Sequence, residues 1–272
     1  MKLLYATDLH GVTWKYNKIL RIAEDSNVDA VILGGDMLPK EGNLFNQGKY
    51  IMNYLDGYFA KFDDAGIYCL CCLGNDDLMI FDDLFTDTCL KYSNVVNIAG
   101  RKKKIFNYEF IGMNLIVDNP FRLKDRCRID TENYLFQLQI GAGLLSSPDG
   151  FREVTDWPHY ARELPTIEDE LANLVLPVDI SQTVYVFHMP PINLGLDRCF
   201  LGKDFGSEAI YRFILERQPL LSLHGHIHES PELSGNWYAK LGHTCCIQPG
   251  QLEDLIYVII DLDIMKIERF CK

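Results

Sequence analysis

Leu3-Leu4-Tyr5-Ala6-Thr7-Asp8-Leu9-His10 joins an apolar run directly to an acid and an imidazole. A short apolar run that ends in polar side chains has the form of a buried strand whose C-terminal end opens into a loop. The pattern recurs at Ala30–Leu33, which ends in Gly34-Gly35-Asp36, and at Ile67–Leu73, which ends in Gly74-Asn75-Asp76-Asp77. Between these runs, Val12–Asp25 and Tyr50–Phe62 carry apolar residues at three- and four-residue spacing, as helices packed on a sheet do. This part of the chain therefore predicts strand-helix-strand-helix-strand, the rhythm of an α/β layered fold.

Further on, Gly100–Leu115 predicts a strand pair with the basic residues Arg101–Lys104 at its turn, and Asp118–Asp156 shows no sustained period. Residues from about 119 to 162 are expected to form an insertion or long loop region, of the kind that often serves as a lid. Pro165–Leu176 resumes a helical pattern. Thr183–Phe187 predicts a strand, Ser207–Arg217 a helix and Pro219–Leu223 another strand, with Thr244–Gln248 following. Leu255–Asp261 and Ile264–Phe270 alternate across Leu262-Asp263 and predict a closing hairpin. The expected architecture is a pair of sheets flanked by helices within one domain over residues 1–272.

The chain has 272 residues, 48% of them apolar and 24% charged, which suits a folded globular body. Its formal net charge of -12 opposes broad attraction to a polyanion, so a small substrate is expected rather than long nucleic acid. A local pair of cations would still invert the potential inside one cleft. The apolar run before Asp8 is too short for a signal-peptide core, and no segment approaches the roughly 18 apolar residues of a membrane span. Nine cysteines, an odd number, lie mostly in apolar runs such as Cys69–Cys72 and Cys245-Cys246, without the spacing of a disulfide scaffold. A reduced, cytoplasmic protein with no membrane segment is the expectation. The Cys69–Cys72 spacing reads as core packing within a strand rather than as redox or zinc chemistry.

Five motifs stand at predicted strand ends: Asp8-Leu9-His10, Gly34-Gly35-Asp36, Gly74-Asn75-Asp76-Asp77, Phe187-His188 and Gly225-His226-Ile227-His228. Residues just beyond the C-terminal ends of strands converge on one crevice in an open α/β sheet. Any single motif reads more simply as a solvated turn, and Asn75 alone as the cap of a helix starting near Asp77. Together they offer carboxylates, imidazoles and one amide carbonyl, a donor set suited to Mn²⁺, Fe or Zn²⁺, with Mn²⁺ favoured. Two such ions about 3.5 to 4 Å apart need a bridging carboxylate and can bring a shared water toward ionisation at neutral pH. His224 and His243 have no place in the pattern and read as structural or exposed histidines. Lys102-Lys103-Lys104 reads as a solvated face.

The order and spacing of the five motifs resemble the calcineurin-like metallophosphoesterase superfamily over residues 8 to 228. The segment Val186–Ser230, with Met189-Pro190-Pro191, Leu196-Asp197, Gly206-Ser207 and Leu223–Ser230, is most similar to its Icc-related branch. The resemblance implies a four-layer α-β-β-α sandwich of two mixed sheets flanked by helices. It implies that Asp8, His10 and His228 hold one divalent ion, that Asn75, His188 and His226 hold another, and that Asp36 bridges them. It further implies hydrolysis of a small or medium-sized phosphodiester or phosphomonoester by a metal-bridging hydroxide. Two positions depart from the pattern. Asp76 stands where most members have a histidine thought to assist the leaving group, so Asp76 is either kept protonated, bound to a cation, or relieved of that duty by the substrate; the last is favoured. Asp77 is expected as a supporting or capping carboxylate. Ile247-Gln248-Pro249-Gly250-Gln251 replaces the usual N-P-G-S, which puts the hydrogen bond of the family serine in doubt. The alternative reading is a weakly active or non-catalytic metal-binding protein that uses the same face for docking or ligand sensing.

Overall fold

Leu3, Leu4, Tyr5 and Ala6 are all fully buried, yet alternate side chains enter different layers, as the two-residue period of a strand requires. Leu4 and Ala6 pack with Tyr16, Ile19, Tyr58, Phe59 and Phe85, which belong to helices. Leu3 and Tyr5 pack with Phe110, Val184, Val186, Leu221 and Leu223, which belong to a second sheet. A strand buried on both faces has no polar alternation, and this is why these runs are uniformly apolar.

The computed structural model describes residues 1–200 and 202–272. The chain runs β1 (Lys2–Ala6), α1 (Thr13–Asp25), β2 (Ala30–Leu33), α2 (Gln47–Tyr50), α3 (Asp56–Ala65), β3 (Tyr68–Cys71), α4 (Asp82–Leu90) and β4 (Val95–Asn97). It continues as β5 (Lys102–Ile105), β6 (Tyr108–Met113), β7 (Ile116–Val117), β8 (Cys127–Arg128), β9 (Gly143–Ser147), β10 (Gly150–Val154), α5 (Trp157–Arg162) and α6 (Ile167–Ala172). It closes with β11 (Thr183–Phe187), α7 (Glu208–Arg217), β12 (Leu221–Leu223), α8 (Ser230–Ser234), β13 (Tyr238–Leu241), β14 (Thr244–Ile247), β15 (Ile256–Asp261) and β16 (Lys266–Cys271). A π-wound stretch, Ile51–Leu55, links α2 to α3.

One sheet has the order β16-β15-β1-β2-β3-β4 and the other β13-β14-β12-β11-β6-β5. Strands β1 to β4 are parallel, as are β14, β12, β11 and β6, while β15, β16, β13 and β5 pair antiparallel at the edges. The outer face of the second sheet, with Ile111, Tyr185, Phe187 and Cys246, is covered by Trp157, Ile167, Ile210 and Ile214 from α5, α6 and α7. The result is the expected sandwich of two mixed sheets between helical layers. Each fully buried large apolar side chain contributes roughly 2 kcal/mol to it, so a truncation such as Phe59→Ala at the α3 interface costs more than any surface contact. The C-terminal ends of the parallel strands of both sheets open toward one rim, where the polar motifs gather.

Two local expectations are corrected. The basic residues fall on β5 itself, with Phe106-Asn107 at the turn, because β5 is an edge strand and charge there costs nothing; Lys102 pairs with Glu109 at 3.0 Å. The closing hairpin turns through residues 262–265, two more than expected. The 119–162 segment holds β8, the β9–β10 hairpin and α5, and its longest stretch without helix or strand is residues 129–142. Cys127, Ile129, Val154, Trp157 and Ala161 of this stretch join the core on the second sheet's outer face, and polar clasps hold the parts between them. Buried Lys124 donates to Asp118 Oδ1 at 2.7 Å, Trp157 Nε1 donates to the same oxygen at 2.7 Å, and Ser146 N donates to Asp125 Oδ1 at 2.7 Å.

Candidate metal centre

Asp8 and His10 lie just past β1, Asp36 past β2, Asn75 and Asp76 past β3, His188 directly after β11, and His226 and His228 past β12. The loops are laced together by their backbones: Asp8 N donates to Gly35 O at 3.0 Å, His10 N to Asp36 O at 2.8 Å, and Gly225 N to His188 O at 2.9 Å. Tyr5 OH donates to His224 O at 2.7 Å and ties the first sheet to the second beside the cluster. Asp8, His10, Asp36 and His226 have φ of 56°, 45°, 48° and 68°. Left-handed backbone is uncommon for such residues, and its concentration here marks conformations imposed by the surrounding fold. Two glycines make room. A Cβ on Gly35, whose φ is 118°, would lie 2.3 Å from His188 Nδ1, and one on Gly225 would lie 2.3 Å from Thr7 Oγ1.

The structure brings all seven expected ligand residues together, in two groups. Donor atoms of Asp8, His10, Asp36 and His228 lie within 4.8 Å of one another. Within this group, His10 Nε2 and His228 Nε2 are 3.0 Å apart, and His228 Nε2 is 3.3 Å from Asp8 Oδ1. In the second group, Asn75 Oδ1 lies 2.9 Å from His188 Nε2 and 2.6 Å from His226 Nδ1. Asp36 Oδ2 stands between them, 3.9 Å from His10 Nε2 and 3.5 Å from His188 Nε2. His188 Nδ1 donates to Gly34 O at 2.9 Å, which leaves Nε2 as the nitrogen facing the cluster.

Electrostatics sharpen the picture. Burial holds His10 down at about 4 and His226 at about 3, so both are neutral donors near pH 7. Burial alone would raise Asp8 and Asp36, yet His228 and His188 outweigh it at Asp8, which falls to about 2, and His188 and His10 outweigh it at Asp36, which is also lowered. Burial would lower His188, but Asp36 and Asp8 hold it up at about 9. A proton on His188 thus occupies part of the space that a cation would fill. Two imidazole nitrogens opposed at 3.0 Å can share only one proton, and Asp8 Oδ2 is buried without a partner among the described residues. Both features fit divalent cations, which neutral imidazoles and carboxylates bind well.

Asp76 is half-buried at the rim. Its Oδ1 accepts from Asn75 Nδ2 at 2.9 Å, its backbone N–H donates to Asp36 Oδ1 at 2.8 Å, and its Oδ2 is 3.9 Å from His10 Nδ1. Burial and the Asp36 charge raise it to about 7. Asp77 caps no helix, nor does Asn75, because the next helical turn begins at Met79. Asp77 is fully buried and accepts from Met37 N, Leu38 N and Gly74 N at 2.9, 2.8 and 2.8 Å, tying the Asp36 loop to the Asn75 loop. His224 is a buried structural residue hydrogen-bonded to Phe187 O and Met189 O, and His243 is exposed.

Several participants were invisible as motifs. Arg126, inside the poorly legible segment, donates from Nε to Gly74 O at 2.7 Å and from Nη1 to Asp82 at 3.1 Å. Gln248 Nε2 bonds the Gly225 and Ile227 carbonyls, and Gln251 Nε2 donates to Thr7 O at 3.1 Å, so the two glutamines do the loop-holding at the divergent motif. Exposed Lys40 shares a groove of about 750 Å³ with Asp8, His10 and His228. A lone lysine four residues past Asp36 carries no pattern that sequence could single out.

A family model described as calcineurin-like phosphoesterase matches residues 1–230. Among solved structures, TT1561 of Thermus thermophilus is 18% identical, with a TM-score of 0.62 over 99% of this chain and 98% of that one. A dimetal phosphatase from Danio rerio is 10% identical, with a TM-score of 0.50 over 95% of each chain. GAP50, the anchor in the inner membrane complex of Plasmodium, is 10% identical, with a TM-score of 0.51 over 100% of this chain and 84% of that one. At such identities the likeness is one of fold. No curated protein matches the chain.

Proposed function

Because the chain belongs to the calcineurin-like phosphoesterase family, we propose that it is a hydrolase of small phosphate esters that works with two divalent ions, Mn²⁺ being the favoured metal. Asp8, His10 and His228 would hold one ion and Asn75, His188 and His226 the other, with Asp36 placed between the two groups. The observation that carries this reading is the position of Asp36 Oδ2, which faces His10 at 3.9 Å and His188 at 3.5 Å and so stands between two complete donor sets. Such ions polarise phosphoryl oxygens and supply a nucleophile from water at neutral pH.

The chain's own residues do the rest. Gly34 O orients His188, Asn75 Oδ1 faces His188 and His226 together, and Asp77 keeps the loops of Asp36 and Asn75 at a fixed separation. Asp76 lies beside the cluster without a proton to give once cations are bound, which suits esters whose leaving group departs unaided. A purely docking role is the weaker reading, since a surface used only for contact gives no reason to keep seven converging donors.

The test is elemental analysis of the purified chain together with turnover of an aryl phosphodiester. About two metal equivalents and chelator-sensitive turnover are expected, with both reduced in Asp36→Asn and turnover reduced at least 10²-fold. Full metal content without turnover of any mono- or diester would overturn the proposal.

A further inference from the structure

Two hollows meet at the candidate metal centre and differ in chemistry. On the Lys40 side, the wide groove carries exposed Lys40 beside His10 and His228 together with the carboxylates Glu232, Glu253 and Asp254, and Lys15 closes its floor with its ammonium spent on Gln251 Oε1 at 3.2 Å. On the other side, a hollow of about 370 Å³ starts at Asp36, Asn75 and His226 and is also lined by Phe121 and Phe200. Met189 and Phe205 belong to its wall. Both phenylalanine rings are largely solvent-exposed, at 63% and 75%, although neither serves the core. No lysine or arginine lines this second hollow among the described residues, and its charged groups, Asp76, Asp118 and Glu229, are all acidic.

Those carboxylates are themselves part of the wall. Asp118 accepts from Lys124, Trp157 and Gln139, and Glu229 Oε1 accepts from Phe200 N at 3.1 Å, so each fixes the stretch that carries one of the rings. A hollow of this kind repels any second phosphate or carboxylate on the ligand. Two exposed aromatic side chains in one hollow instead favour a flat ring, which gains face or edge contacts with them while losing little entropy.

We propose that the Phe121–Phe200 hollow is the subsite for an uncharged aromatic arm of the substrate, and that the substrate is a monoanionic phosphodiester lying across the cluster. Its phosphoryl group sits at the metal centre, its ring enters the hollow, and its second arm points into the Lys40 groove. This rests on the ester-cleaving reading and narrows it: a monoester or a polyphosphate leaves one hollow empty or sets like charges against Asp76 and Glu229.

Diphenylphosphinate and dimethylphosphinate are suitable probes, because both are monoanions without a cleavable ester bond. Titrated calorimetrically into the Mn²⁺-loaded full chain, diphenylphosphinate is expected to bind at least about tenfold more tightly. Phe121→Ala and Phe200→Ala, both at exposed positions, are expected to remove most of that preference while leaving bound metal and the dimethylphosphinate affinity unchanged. Equal affinity for the two probes, or a preference that survives the double variant, would overturn the aromatic subsite alone. Binding of neither probe by fully loaded protein would overturn the ester-cleaving reading together with it.

Discussion

Asp76 stands where the family resemblance leads one to expect a histidine. Without cations, burial and Asp36 raise it to about 7; in the proposed two-ion site, ions on its neighbours would draw that value down and leave an anion that cannot protonate a leaving group. Asp76→His is therefore expected to raise kcat for alkyl esters by about 10²-fold and to change aryl esters little. The slope of log kcat against leaving-group pKa reads this directly, and an unaltered slope would refute it. Lys40 lies outside every motif, yet it is an exposed cation in the groove beside His10 and His228, among the carboxylates Glu232, Glu253 and Asp254. Lys40→Ala should raise KM for anionic esters about tenfold with kcat nearly unchanged. A loss confined to kcat would instead place Lys40 in the chemical step.

The parallel strands were legible because burial on both faces leaves nothing but apolar residues, as in Ala30–Leu33 and Thr183–Phe187, which the structure reproduces residue for residue. The 119–162 segment was not legible. Its core residues Cys127, Ile129, Val154, Trp157 and Ala161 are scattered, and the rest is held by Lys124 on Asp118, Ser146 on Asp125 and Arg126 on Gly74 and Asp82, single polar contacts that leave no periodic trace. Edge strand β5 misled for a related reason, since three lysines look like a turn until one knows that the strand has a free edge. Arg126 makes the segment a support for the Asn75 loop. In Arg126→Ala the Gly74 carbonyl loses its charged donor and keeps only the longer bond from Asp77 N at 3.3 Å, at a cost of about 2 kcal/mol, with water replacing the lost contact at the part-exposed Asp82. Thermal melting should register that loss, and metal analysis should show preferential depletion of one equivalent; retention of both equivalents at full affinity would confine Arg126 to stability.

At the scale of the molecule, the metal-free cluster should set how stability varies with pH. His188, Asp76 and Asp77 stand at about 9, 7 and 8, above their unfolded values, so the folded state holds more protons than the unfolded one near neutrality. Their contribution is complete below the unfolded pKa of each group and is lost as pH rises through 7 to 9. His10 and His226, at about 4 and 3, oppose this only below about 6.5, where the unfolded imidazoles take up protons first. Chelated protein should therefore melt at lower temperature at pH 9 than at pH 6.5, and Mn²⁺ should flatten or reverse that trend; identical profiles with and without metal would show that no ion engages these groups. The converging donors were legible as a set because chemistry restricts each to Asp, Asn or His at a strand end, whereas Lys40, Gln248 and Arg126 are set by proximity alone. The span between those donors carries one more implication. His10 meets His228 across 218 positions and Asn75 meets His226 across 151, so a ribosome displays Asp8, His10 and Asp36 long before their partners have been translated. Cation capture is then a late event of biogenesis, waiting on the last strands to emerge and dock, and a chain released short of β12 would be made without the means to keep its metal.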